Sequence, residues 1–251
     1  MSLQPYNTDS AITFGQEHLE STDFVPPRVK VIQQMSAEAT REEDPLKPGE
    51  LYNTLTGVSF GTRLEFVPLF PFKNRVFILR DEKRAEMEAI IGLEFSENNG
   101  LKCRSLDMHV GVGEPGIRCD QCPLGQWRRG AKGENLPPPC SETYNVAAVT
   151  GAGELVILQF AKSSASMGRK MFSMLRMSTE SPWSKVYEVV TQRTSNARGT
   201  FFVPTVRLIG PSSDDQKRMA LEWQRQLRGV GPIDVTPESM DDEEATAASP
   251  F

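Results

Sequence analysis

Every cysteine in the chain lies inside one stretch that has little else to hold it together. Cys103, Cys119, Cys122 and Cys140 form a C-x15-C-x2-C-x17-C pattern within residues 98–140, where Gly and Pro are dense and large apolar side chains are few. Such a segment buries too little apolar surface to offset its chain entropy, so it is expected to need a staple. The Cys119-Asp120-Gln121-Cys122 knuckle lets two thiolates meet one ion, and Cys103 and Cys140 can close a tetrahedron from the two ends. Zinc accepts four thiolates at about 2.3 Å in closed, structural sites, and metal binding then supplies folding energy. A structural Zn2+ on Cys103, Cys119, Cys122 and Cys140 is the expectation. An iron–sulfur cluster, a redox pair and unliganded thiols are the alternatives. His109 sits among them, but a lone loop histidine is the ordinary solvated case and is left out of the ligand set.

Around that insertion the chain reads as mainly β. Residues 64–70 (LEFVPLF) and 75–80 (RVFILR) are β-rich and flank Pro71-Phe72-Lys73-Asn74, which predicts a hairpin. Residues 82–91 predict a short helix. Residues 145–150 and 154–161 flank Gly151-Ala152-Gly153, a second hairpin signal. Apolar residues at Met167, Met171, Met174 and Leu175 are spaced for a helix over residues 163–177. Residues 185–194 and 200–209 predict two more strands, and residues 212–227 a closing helix with Asp214 and Asp215 in its first turn. A helix between the third strand unit and a final strand pair is the order of an OB-fold, a five-stranded Greek-key barrel. The expected fold is therefore an OB-fold-like barrel with minor α content, a loop-rich four-cysteine insertion and a C-terminal helix. Its parts are a flexible N-terminal arm (residues 1–50, with one possible strand at 28–33), a core (51–228) containing the insertion (98–142), and a disordered tail (229–251).

Charge is distributed unevenly. Residues 234–251 hold six carboxylates, no Lys or Arg, and a terminal Phe. Removing those six from a net charge of −5 leaves +1. Between Lys162 and Arg207 eight basic residues face two acids, which suggests a polyanion partner, a solvated charged surface being the alternative. Binders of single strands combine cations with aromatics on which bases stack. Two places carry that mixture: Trp127, Arg128 and Arg129 beside the knuckle, and Lys162, Arg169, Lys170, Trp183, Lys185, Tyr187, Arg193 and Arg198 in the second half. On a strand, Lys185, Tyr187 and Val189 share a face, which makes that face the expected binding surface there. Phe66, Phe77, Phe160 and Phe202 are assigned to the core.

The tail (DDEEATAASPF), the cysteine insertion and the strand–helix order resemble those of bacteriophage-type single-stranded DNA-binding proteins. The four-cysteine spacing departs from that family's best-known zinc pattern, which includes a histidine. The resemblance implies sequence-tolerant binding of single-stranded DNA in replication, recombination or repair. It also implies a tail that competes with DNA for the basic groove and recruits partner proteins through Asp241, Asp242, Glu243, Glu244 and Phe251. No enzymatic activity is expected: Walker and G-x-S-x-G motifs are missing and only two histidines exist. The rival readings are an iron–sulfur or metal-dependent nuclease and a zinc-stapled protein-interaction or transcription-regulatory module. No apolar run approaches the ~18 residues of a membrane span and no signal pattern opens the chain. An intracellular location is therefore expected, in the cytoplasm of a bacterial host if the protein is viral.

Overall fold

The two β-rich runs around Pro71 form one strand rather than a hairpin. In the computed structural model, which describes residues 25–96, 100–130, 132–196, 199–228 and 231–235, β3 runs unbroken over Arg63–Leu79. It follows β1 (Arg28–Val31), a one-turn helix α1 (Ala37–Thr40) and β2 (Leu51–Asn53). After it come α2 (Arg84–Ile91), β4 (Gly100–Ser105), β5 (Val112–Gly113), β6 (Arg128–Arg129), β7 (Asn135–Leu136), β8 (Ser141–Thr150) and β9 (Leu155–Ala161). The chain closes with α3 (Ala165–Met177), β10 (Lys185–Asn196), β11 (Gly199–Pro211) and α4 (Asp214–Leu227).

Residues 71–74 suggested a turn, Pro71 being unable to donate to a ladder, and Pro68 is a second proline in the same strand. Here they are tolerated for a local reason. Strand β10 leaves β3 at Phe66 and β4 joins it only at Arg75, so between them β3 is paired on one side, by β8. A bulge between Pro68 and Phe70 adjusts the register. The prolines thus sit where edge-strand rules apply.

The fold is strand-rich mixed α/β. Nine strands form one sheet in the order β11-β10-β3-β8-β9-β1-β2, with β4 and β5 branching from the far end of β3. The barrel expected from the sequence is not closed by strand ladders: among the described residues the sheet is open. Its sides nevertheless approach each other. The Gln33 amide donates to the Phe202 carbonyl (2.9 Å) and accepts from the Phe202 N–H (2.9 Å), so one side chain stands in for a strand between β1 and β11. The β8–β9 hairpin, helix α3, the β10–β11 hairpin and α4 occur as predicted. Ser213 caps α4 and accepts from the Gln216 N–H, while the Gln216 side chain takes the Ser213 N–H.

Both faces of the central strands are covered. Leu64, Phe66, Val146, Leu158, Phe160 and Val189 form an inner cluster plugged by Met171 and Leu175 of α3. Gly168 permits that plug, because a Cβ there would lie 2.5 Å from the Tyr144 Cβ. The opposite face, from Val67, Leu69, Val149 and Ile157, packs on Ala220 and Leu227 of α4 and on Ile233 and Val235.

Two expected mobile segments are therefore partly built in. The N-terminal arm joins the sheet from Arg28, where β1 pairs parallel to β9 and antiparallel to β2. At the other end Ile233 and Val235 are buried, Asp234 pairs with Arg104, and Asn74 and Gln159 donate to the carbonyls of Ile233 and Val235. The remaining tail positions, including Asp241, Asp242, Glu243, Glu244 and Phe251, lie outside the described residues.

Two consequences are measurable. Each buried Ile or Val contributes about 1.5–3 kcal/mol. A chain ending at Gly231 is expected to lose on the order of 3 kcal/mol in urea unfolding, whereas one ending at Val235 keeps its stability. The second concerns Glu188, whose side chain is fully buried between Arg207 and Arg63. The hydrogen bond from Arg207 outweighs burial, Arg63 adds to it, and the carboxyl is held below its ordinary 4.5. This stabilisation is complete above pH 4.5 and is lost as the pH falls through the lowered value. In acid unfolding, Glu188→Gln should be weaker than the wild type at pH 7, and the difference should shrink on acidification below pH 4.5.

Candidate nucleic-acid interface and cysteine cavity

The insertion is anchored by the far end of β3. Phe77 and Leu79 from that strand pack with Met87 of α2, with Phe95 and with Leu124, which follows the cysteine knuckle. This satellite core supplies apolar burial that the insertion's own composition lacks. Cys119 donates its N–H to the His109 carbonyl (2.8 Å), and Cys140 donates to the Leu124 carbonyl (2.9 Å). Cys103 lies in β4 opposite Gly113.

All four cysteines line one small cavity of about 20 Å³, together with Arg75, Phe77, Leu124 and Gly125. None forms a disulfide. Burial pushes the Cys140 thiol up to about 12; Arg75 pulls it down and the other three cysteines push it further up. Burial likewise raises Cys103. Thiols so placed stay protonated at neutral pH unless a cation draws off their protons. The donor set suits zinc chemically. As they stand, however, the side chains are not closed around a centre: among the described residues no three His, Cys, Asp or Glu form a group that could hold a metal ion.

Beside this cavity is a larger groove of about 310 Å³. Trp127, Pro137 and Pro138 line it from the insertion, Lys162 from the turn after β9, and Ala165 and Arg169 from α3. Arg75, Glu142 and Tyr144 of the sheet line it too, as do Gly125, Cys140 and Ser141. Trp127 is 66% exposed. Lys162 adopts φ +50°, a left-handed conformation that is uncommon outside glycine. Hydrogen bonds on either side bracket it: Ala161 N–H to Ser164 Oγ, and Ser164 Oγ–H to the Ala161 carbonyl.

The pairs across β3 and β8 are in direct register, Lys73 opposite Tyr144 and Arg75 opposite Glu142. The Lys73 Nζ lies 4.4 Å from the Tyr144 ring centroid and 3.6 Å from Glu142. Glu142 also accepts from Arg75 (3.2 Å) and from the Tyr144 hydroxyl (2.9 Å). Burial raises its pKa but those partners outweigh it, so the carboxylate stays ionised below the usual range.

The structure separates the predicted binding residues. Trp127, Lys162 and Arg169 meet at the groove. Arg129, Lys170 and Arg193 are exposed elsewhere, Arg129 donating to the Gly133 carbonyl; Arg128 is half-buried and pairs with Glu86, and Lys185 pairs with Glu180. Arg198 lies outside the described residues. Two aromatic assignments, Tyr187 in β10 and Trp183 just before it, are corrected. Tyr187 is 3% exposed and stacks on Phe66 inside the core, because both faces of β10 are covered. Trp183 packs against the outer cluster under α4. Phe66, Phe77 and Phe160 are core as expected, while Phe202 is only half-buried and lies over Gly49. Sequence reasoning missed Lys73, Arg75, Glu142 and Tyr144. Their signal was the i, i+2 spacing of Lys73 and Arg75 and of Glu142 and Tyr144, visible only once residues 71–74 are read as strand.

Fold and site together define a strand-rich mixed α/β protein with a cysteine-bearing insertion seated beside an aromatic, cation-lined groove. The chain belongs to the Pam3 phage gp34-like protein family, whose model matches residues 3–230, and so is a bacteriophage protein. No curated protein and no solved structure matches it. Among the described residues no helix is long and apolar enough to cross a membrane.

The register across β3 and β8 gives a direct check. Exchanging Glu142 for Gln removes the one carboxylate that unites Lys73, Arg75 and Tyr144. The variant is expected to melt several degrees lower and to leave the groove more cationic, readable as tighter binding of a polyanion such as heparin at low salt.

Proposed function

We infer that the protein binds single-stranded DNA through the Trp127 groove. The observation that carries this reading is the meeting of an exposed indole with two cations, Lys162 and Arg169, brought from opposite sides of the insertion boundary. An indole face accepts any base by stacking, and Lys and Arg exchange condensed counterions for phosphates. Duplex bases are already stacked on one another, so unpaired strands are favoured.

The wider fold is consistent with an OB-like body. The order β11-β10-β3-β8-β9 with α3 between β9 and β10 is that of the OB-fold, with β1 and Gln33 filling the seam. OB-folds commonly bind on the face of strands two and three and on adjoining loops. The equivalent strands here are β8 and β9, whose outer face is under α4 and residues 233–235. That moves the ligand toward the loop after the first strand, which contains the insertion. Arg193, at the β10–β11 hairpin, supplies a second contact for a longer strand.

The four cysteines are proposed as a structural zinc site, with Cys103, Cys119, Cys122 and Cys140 as ligands closing on the ion when it binds. The supporting observations are their shared cavity and the chemistry of the donor set. The acidic tail is proposed to recruit replication or repair proteins. Exposed Val110 and Val112 on the insertion favour a second reading, a module that contacts protein alone.

One titration separates these readings. A labelled oligonucleotide and its duplex are titrated at two salt concentrations, with metal measured on the same sample. Preferential binding of the single strand is expected, weakening steeply with salt. Trp127→Ala should cost about 1–3 kcal/mol, and Lys162→Gln or Arg169→Gln should each reduce the salt slope by about 0.7. About one zinc per chain is expected, lost in Cys119→Ser and Cys122→Ser. Failure to retain single strands in dilute buffer sinks the DNA reading. Magnesium-dependent cutting of the oligonucleotide would make the protein a nuclease.

A further inference from the structure

We propose that Arg75 is a positioning residue that fixes the insertion side of the groove, and with it Trp127, to the sheet. The inference rests on the single-strand reading above and concerns how its main stacking residue is held. Arg75, Gly125 and Cys140 line both the cysteine cavity and the groove. Of these, only Arg75 comes from the sheet body, from the stretch of β3 where β8 and β4 both pair with it. Its guanidinium uses two donors on two separate acceptors. Nη1 donates to the Cys119 carbonyl in the knuckle (3.4 Å), and Nη2 donates to Glu142 on β8 (3.2 Å).

The insertion is folded against this side chain without room to spare. Gly125, two residues before Trp127, approaches so closely that a Cβ there would lie 2.6 Å from Arg75 Nη1 and 3.4 Å from the Cys119 carbonyl. The Arg75 side chain is mostly covered. It is therefore a rivet: one planar fork holding the knuckle, the groove carboxylate and the strand in a fixed relation. Lysine cannot reproduce this, since a single ammonium cannot span two divergent acceptors in a fixed plane. Because Arg75 is committed to Cys119 and Glu142, it acts through Trp127 and not on the phosphates.

The test uses the full chain with Arg75→Met, Arg75→Lys and Gly125→Ala, and a labelled oligothymidylate as probe. Gly125→Ala is the milder wedge, since its methyl displaces the guanidinium and leaves the charge in place. Three quantities are read: affinity as a function of salt, the quenching of Trp127 emission by bound strand (isolated by difference against Trp127→Phe), and the melting midpoint. All three variants are expected to bind roughly tenfold more weakly, the loss of one stacked base. Trp127 quenching should be reduced at saturation and the salt slope unchanged. A general structural defect would not keep the slope while removing the quench, and a phosphate contact would lower the slope. If Arg75→Met fails to fold, Gly125→Ala decides. The proposal is overturned if Arg75→Lys and Gly125→Ala bind with wild-type affinity and wild-type quenching. It is also overturned if the slope falls with the affinity, since Arg75 is then a phosphate contact. A wild-type chain that ignores the oligonucleotide overturns the single-strand reading as well, so the two failures are distinguishable.

Discussion

Strand β3 changes partners along its length, and the rest of the molecule is arranged by those changes. Its first residues pair with β10, its middle with β8, and its last with β4 as well. A strand of seventeen residues is too long to remain flat in a twisted sheet. The bulge after Pro68 shifts its register, and the strand serves three apolar clusters. Leu64 and Phe66 sit in the inner cluster, while Phe77 and Leu79 form the base on which the insertion is built. The body and the insertion therefore share a backbone element, and the groove between them is a consequence of that sharing.

Burial on both faces of the central strands then decides where a ligand can go. Helix α3 plugs one side and α4 with residues 233–235 covers the other. Aromatic residues in the strands are consumed by packing, as Tyr187 on Phe66 illustrates. The insertion, by contrast, keeps a large aromatic at the surface, Trp127. An exposed indole there cannot be explained by the core, whereas an indole on β10 could be.

The readable parts of the sequence were those where local chemistry and tertiary packing agree. Asp214 and Asp215 in a first turn state the start of α4, Gly151 to Gly153 states the β8–β9 turn, and Trp127 between Gly125 and two arginines states its own exposure. The unread parts are those where context overrides a local signal. Pro71 and Asn74 say turn, but the missing partner on one side of β3 lets proline stay in a strand. Ile233 and Val235 stand next to a run of acids and look like tail, yet two apolar residues spaced i, i+2 are enough to seat an extended segment when Asn74 and Gln159 supply donors to their carbonyls. Tyr187 was misplaced because strand alternation gives two faces and says nothing about whether one is covered.

The electrostatics of the groove follow from the same register. Arg75 and Lys73 lie opposite Glu142 and Tyr144, so two cations share one carboxylate and their charge is partly offset at the groove wall. Lys162 and Arg169, carried by a different element, are added at the side. A groove built this way pairs its β3 cations internally, and in the single-strand reading Lys162 and Arg169 are the ones a flexible polyanion would meet. The division matters physically, because a cation buried in a carboxylate pair gives little to a phosphate, and one that gives its charge to a phosphate cannot also hold the wall in place. In the single-strand reading proposed above, positioning falls to Arg75 and attraction to Lys162 and Arg169, and β3 is the element that allows them to be separate.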